Sequence, residues 1–339
     1  RQSGMRVAVI HGSPAVTDTQ LRICKVVIAA LGCMFLLWRE HRAHPRWAAA
    51  FRLTLAAAAV GAYFHGFALP IERYYHRWEM FHYYLGAKYA SELGYTRLYQ
   101  CVAIADAQTG YAPQVSVRRA RDLTTDELIR AQIWLRDPTA CKRHFSGARW
   151  SDFTRDVSWF REAAGGGAWW EQMQQDHGYN ASPIWTMIAR PLASLAPASD
   201  QTLRALAAID PLLMAACLVA LGWAFGFEIA ALAALFWGTQ AAAEVIWTGG
   251  AFLRQDWLLC AVLGVALLKR RRPFTAGVLL TAAGLLRVFP LLLWAGPLLV
   301  IGASMLRNRR ISQLHRRLLA GGALCALISL GASVATQGS

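Results

Sequence analysis

Glu79, His82 and Tyr83 stand three and four residues apart in the stretch Trp78-Glu79-Met80-Phe81-His82-Tyr83-Tyr84-Leu85-Gly86-Ala87-Lys88-Tyr89. On a helix these spacings share a face, so a carboxylate, an imidazole and a phenol are expected to project together. A carboxylate within hydrogen-bond reach of a hydroxyl can take its proton as a general base. His82 could orient that base or bind hydroxyls, and Tyr83 and Lys88 are candidate substrate-binding groups on the same helix. The same residues also read as an interfacial helix whose Trp and Tyr form an aromatic belt at a bilayer surface.

More charges lie where apolar runs should exclude them. Arg254 and Asp256 sit in Phe252-Leu253-Arg254-Gln255-Asp256-Trp257, Arg287 at the end of a later run, and Glu244 inside an earlier one. An Arg or Asp at mid-bilayer costs roughly 2.5–3.5 kcal/mol on insertion scales, so such residues need a reason. One reason is structural: Arg254 pairs with Asp256 or Glu244, and Arg287 snorkels. The other is functional: Arg254 and Arg287 hold a phosphate through charge-assisted hydrogen bonds, near Glu79 on one face of the membrane.

In Asp176-His177-Gly178-Tyr179-Asn180, His177 and Asn180 are candidate substrate ligands. Trp169, Trp170 and Tyr179 are candidate sugar platforms, or else part of a turn with a surface belt. Asp106, Asp122 and Asp126 read as metal ligands or helix caps, with Thr124 or Thr125 capping a helix before Glu127. No obligatory metal or other cofactor is expected. No phosphate-cradling Gly-x-x-x-x-Gly-Lys, His-Glu-x-x-His or serine elbow occurs.

The elements that must position these groups are membrane helices. The 339 residues are 56% hydrophobic, and apolar runs of about 20 residues recur. A net charge of +15 would fit nucleic acid, but the arginines gather between apolar runs, at 269–272 and 307–317. That is the positive-inside pattern, so nucleic acid is not an expected partner and anionic membrane lipids are.

Eight spans are expected, near 21–38, 47–70, 203–225, 229–248, 253–268, 274–289, 290–306 and 318–335. The last three are read with 274–306 as two helices broken near Arg287 and Pro290. The fold class is therefore all-α, a polytopic membrane helix bundle of about eight spans with a long extracytoplasmic loop of short surface helices. Three regions follow: 1–70, the tail and first two spans; 71–200, the loop; 201–339, the C-terminal bundle. No strand alternation is sustained in the loop. Met5 is the expected start, and the first span is read as uncleaved. Cys101 and Cys141 lie in the loop and could pair if it is extracytoplasmic.

The chain resembles the GT-C superfamily of integral membrane glycosyltransferases, and is similar to polyprenyl-phosphate-mannose-dependent mannosyltransferases. Glu79 with Tyr83, then Gly86-Ala87-Lys88-Tyr89 and Leu93-Gly94-Tyr95-Thr96-Arg97-Leu98-Tyr99, resembles the family's acidic residue and following Gly…Leu-Tyr. The long loop comes next. Ala276-Gly277 through Leu286-Arg287-Val288-Phe289-Pro290 resembles the family's Ala-Gly…Lys/Arg-x-x-Pro segment. The chain departs from the pattern in having Glu79 where Asp is usual, and in carrying an extra apolar run before the family's first helix.

The resemblance implies transfer of a sugar from a polyprenyl-phosphate donor to a glycan, lipid or protein acceptor outside the cytoplasm, in a bacterial inner membrane. Carried over by position, Glu79 is the base, and Arg287 and Arg254 bind the donor phosphate. Two other classes compete. One is a non-catalytic GT-C-like subunit or scaffold with membrane-complex partners. The other is a transporter of lipid-linked substrates, whose site should lie at the bilayer midplane.

Overall fold

The protein is mostly helical, as its composition requires, with a single short hairpin among the described residues. The structure, a computed structural model, describes residues 17–39, 45–65 and 74–337. The expected start at Met5, most of the first basic loop and the end of the second expected span lie outside the described residues. Among the described residues, four helices are both long and apolar enough to cross a membrane: Thr19–Leu37, Asp200–Phe225, Phe289–Arg307 and Gln313–Val334. This makes the chain a membrane protein.

Of the other apolar runs, the helix Pro45–Tyr63 is 19 residues long but carries Arg46 and Arg52, and the helices Phe227–Thr239, Asp256–Lys269 and Pro273–Leu286 are shorter, at 13 or 14 residues. Fourteen residues rise only about 21 Å, short of a hydrocarbon core of about 30 Å. The run at 274–306 does divide in two. The Pro273–Leu286 helix ends at Arg287, whose backbone is extended, and a 3-10 turn at Phe289–Trp294 leads into the helix Ala295–Asn308. Pro290 sits in the first turn of the new element, where its missing N–H costs nothing.

The chain divides into two compact units. In one, the helices Asp18–Arg39, Pro45–Tyr63 and Phe227–Thr239 pack together. Its buried cations are paired. Arg52 meets Glu228 at 2.8 Å, and Lys25 meets Glu244 at 3.8 Å.

The second unit holds residues 72–226 and 248–339. Two of its apolar helices pack through small residues. Gly277 and Gly321 let the Pro273–Leu286 and Gln313–Gln337 helices meet backbone to backbone, since a Cβ at either would strike the carbonyl of Leu318 or Phe274.

The segment 74–199 is a folded helical body with an aromatic core around Phe81, Tyr84, Phe153, Phe160 and Trp170, a core that Leu203, Phe252, Leu253 and Leu286 also join. The Leu98–Asp106 helix lies against the helix Gly147–Ala163, and a Cys101–Cys141 disulfide ties it to the turn Thr139–Lys142. Serines 146, 182 and 199 each cap a following helix by accepting a backbone N–H. The expectation of helices alone is corrected here by the strands Arg119–Asp122 and Glu127–Arg130, paired antiparallel. Thr124 caps no helix. Asp122 instead accepts its N–H at 2.9 Å inside the hairpin turn.

Candidate functional site

The helix Arg77–Lys88 begins at His76, whose Nδ1 accepts the Glu79 N–H at 3.3 Å. Accepting there requires an unprotonated Nδ1. Burial favours that state and lowers the His76 imidazole below its ordinary value, against the opposing pull of the Glu79 charge. The His76 N–H in turn donates to the Gly250 carbonyl at 2.7 Å. Gly250 has φ +71°, and a Cβ there would meet the backbone of Tyr75 and His76. The capped helix end and the 248–255 loop are thus locked together.

That loop delivers Arg254. Its Nη1 donates to Glu79 Oε1 at 2.9 Å. Asp210, at the head of the Ile209–Phe225 helix, holds the turn in place. Its buried carboxylate accepts the N–H groups of Arg254, at 2.9 and 3.0 Å, and of Gln255, at 3.0 Å. Trp185 Nε1 donates to the Leu253 carbonyl at 2.9 Å and pins the other side. Asp256 is buried, with Oδ1 accepting the Trp257 N–H at 2.6 Å. Its Oδ2 and the neighbouring Gln255 Oε1 are buried without a hydrogen-bond partner.

One turn beyond Glu79, Tyr83 Oη donates to Asn180 Oδ1 at 2.6 Å. The Arg287 guanidinium lies beside the same phenol. Burial, helped by the Glu79 charge, holds the Tyr83 phenol above its ordinary value, while Arg287 and Arg254 oppose the rise. Arg287 also lies in the field of Asp210 and Asp256. Glu79, Tyr83, Asn180, Arg254, Asp256 and Arg287 thus form one connected cluster, drawn from four separate stretches of the chain. It offers a partly exposed carboxylate and two guanidinium groups, which suits a ligand that is both anionic and hydroxylated.

Three expected site residues lie elsewhere. His82 is buried, and its ring nitrogens meet the Trp78 carbonyl at 2.8 Å, Tyr99 Oη at 2.7 Å and the Met173 carbonyl at 3.0 Å. Helix geometry explains the departure from one shared face. At about 100° per residue, His82 and Tyr83 fall on opposite sides of Glu79, and only the Tyr83 side faces out. Lys88 is buried too. Its Nζ contacts Asp156 Oδ2, Tyr84 Oη and the Ala196 carbonyl, each at 2.8 Å. Exposed His177 pairs with Asp126 on the hairpin at 3.1 Å. Among the expected platforms, Trp170 donates to buried Asp106 and Tyr179 packs over Gly86, so both are core residues.

Asp210, Asp156 and His76 were not among the expected residues. Asp210 lies 44 residues from Arg254, and no local spacing links them. The one available signal was a carboxylate beside Pro211 inside the expected span 203–225. Compared with protein-family models, with curated proteins and with solved structures, the chain matches none.

Proposed function

We propose that the protein is a membrane glycosyltransferase that moves a sugar from a polyprenyl-phosphate-linked donor to an extracytoplasmic acceptor. Glu79 takes the proton of the attacking hydroxyl, and the bond to the anomeric carbon forms as the phosphate leaves. Arg254 and Arg287 bind that phosphate and offset its charge. Tyr83 and Asn180 orient the sugar, and Asp256, whose buried Oδ2 has no hydrogen-bond partner, accepts from a hydroxyl.

The observation that carries this reading is the meeting of Arg254 with Glu79 and of Arg287 with Tyr83 on successive turns of one helix. The Cys101–Cys141 disulfide supports an oxidising, extracytoplasmic location for the loop. The Glu79–Arg254 ion pair also favours a second reading. In a non-catalytic subunit the pair would only latch the 248–255 loop to the helix.

Purified protein in lipid, given a panel of radiolabelled polyprenyl-phosphate sugars and native membrane extract, separates the two. Transfer by the wild type that disappears in a folded Glu79→Gln variant supports the enzyme. Equal transfer by both removes Glu79 as the base, and no transfer from any donor favours the subunit.

A further inference from the structure

The hairpin carries a second charged surface that the proposed site does not use. Its register sets Arg119 directly opposite Arg130, and like charges so placed in an antiparallel pair cost stability. Arg136 follows in the 3-10 turn Ala131–Arg136. All three arginines are exposed. Arg119 donates to the Leu128 carbonyl at 3.1 Å, but none of the three pairs with a carboxylate among the described residues. The turn and the short helix Ala112–Val117 flank the hairpin in sequence, and a groove of about 620 Å³ lies between them, lined by Pro113, Ser116, Gln132, Leu135 and Arg136. The same two elements expose aliphatic side chains: Val117 is 76% exposed and Ile133 51%.

We propose that this face docks an acidic segment of a partner protein that also carries aliphatic side chains. Three guanidinium groups without carboxylates complement a run of Asp or Glu, and arginine is favoured at protein interfaces for its planar, bidentate donors. Val117 and Ile133 match apolar side chains on the same segment. A membrane surface fits less well, because the hairpin packs on the Leu98–Asp106 and Ala168–Met173 helices rather than on the spanning helices. A glycan also fits less well, since no aromatic residue lines the groove.

The test uses the full chain in phosphatidylcholine nanodiscs and a fluorescein-labelled synthetic peptide of alternating Glu and Leu, read by anisotropy at physiological salt. The triple substitution Arg119→Ser, Arg130→Ser, Arg136→Ser should weaken binding about tenfold or more. The pair Val117→Ser, Ile133→Ser should weaken it about threefold. Arg309→Ser with Arg310→Ser, in the other basic cluster, should leave it unchanged. All substituted positions are exposed, and an unaltered unfolding midpoint confirms that each variant is folded. Absent binding, or equal binding by the arginine triple, overturns the proposal. It is also overturned if all-Glu peptide or phosphatidylglycerol vesicles bind as tightly while the Val117/Ile133 pair has no effect, which would make the face a general polyanion or lipid surface.

Discussion

Asp106 and Glu79 are both carboxylates paired with arginine in the same unit, and they live in opposite circumstances. Asp106 is fully buried. Arg118 and Arg161 each reach it at 2.7 Å and Trp170 Nε1 at 2.8 Å, so both oxygens are taken. Gln174 and Thr109 then satisfy further donors of the two arginines at 2.9 Å. Glu79 meets one guanidinium, and its side chain is 25% exposed against 34% for Arg254. The first centre is closed: its carboxylate is fully buried with both oxygens paired, and the Arg118 and Arg161 Nε–H groups left without a partner are buried too. The second is open, and its neighbours Asp256 and Gln255 still have unused acceptors. Full burial of the charged groups marks a structural centre, and solvent access to the pair marks a candidate site.

Removing the closed centre should do the most damage. Asp106→Ala leaves two buried guanidiniums without a counter-charge and should cost about 3–5 kcal/mol. Equilibrium unfolding in detergent, followed by tryptophan emission, measures it. A loss under about 1 kcal/mol, the range of an exposed pair, would erase the contrast with Glu79.

The next effect tests what holds the closed centre together. The disulfide joins Cys101, on the helix that ends in Asp106, to Cys141, 40 residues on. Cys101→Ser should cost about 2–4 kcal/mol in the same assay. It should also loosen the Asp106 centre, seen as faster hydrogen exchange in the Leu98–Asp106 helix. Unchanged exchange there would show that the ion pairs hold without the bridge.

Legibility differed between the two centres for a physical reason. Membrane class, the break at Arg287 and the grouping of Glu79, Arg254 and Arg287 were readable, because an ion in an apolar run must be explained and few explanations exist. Asp106 and Asp156 were not readable as structural centres. In a polar stretch a carboxylate is ordinary, and its partners Arg118, Arg161 and Lys88 lie 12 to 68 positions away. Helical spacing placed Glu79 and Tyr83 together but could not say which side of the stripe is buried, so His82 was assigned to the wrong side. The short strands escaped detection because four residues give too little alternation to register.

His82 provides a pH test of that boundary. Burial lowers its imidazole below the ordinary value near 6.5, against the pull of Asp176 and hydrogen bonds to the Trp78 and Met173 carbonyls. The unfolded chain therefore takes up the proton first as pH falls. Stability is unaffected by His82 well above pH 6.5, and falls on acidification through 6.5 until the folded value is reached. The slope is at most about 1.4 kcal/mol per pH unit. His76, lowered in the same direction, adds to it. His82→Gln should remove about half of the slope between roughly pH 6.5 and 5.5. An unchanged slope would mean that His82 is solvated and belongs with the open cluster after all.

The smallest expected stability effect is the most informative about function. The Glu79–Arg254 pair is a quarter to a third exposed, so solvent screens it and its coupling should be about 0–1 kcal/mol. A double-mutant cycle of Glu79→Gln and Arg254→Gln measures that coupling free of each residue's other contacts. Salt should weaken it further. The loop itself does not depend on the pair, since Asp210 holds it through three hydrogen bonds from two backbone N–H groups and Trp185 through a fourth hydrogen bond. A latch has to contribute binding energy between the parts it joins, and this pair has little to contribute. A coupling above about 2 kcal/mol would reverse the inference and return Glu79 to the class of Asp106. A coupling near zero, with transfer lost in the same variants, would leave chemistry as the reason for placing a carboxylate and a guanidinium together at the end of an apolar helix.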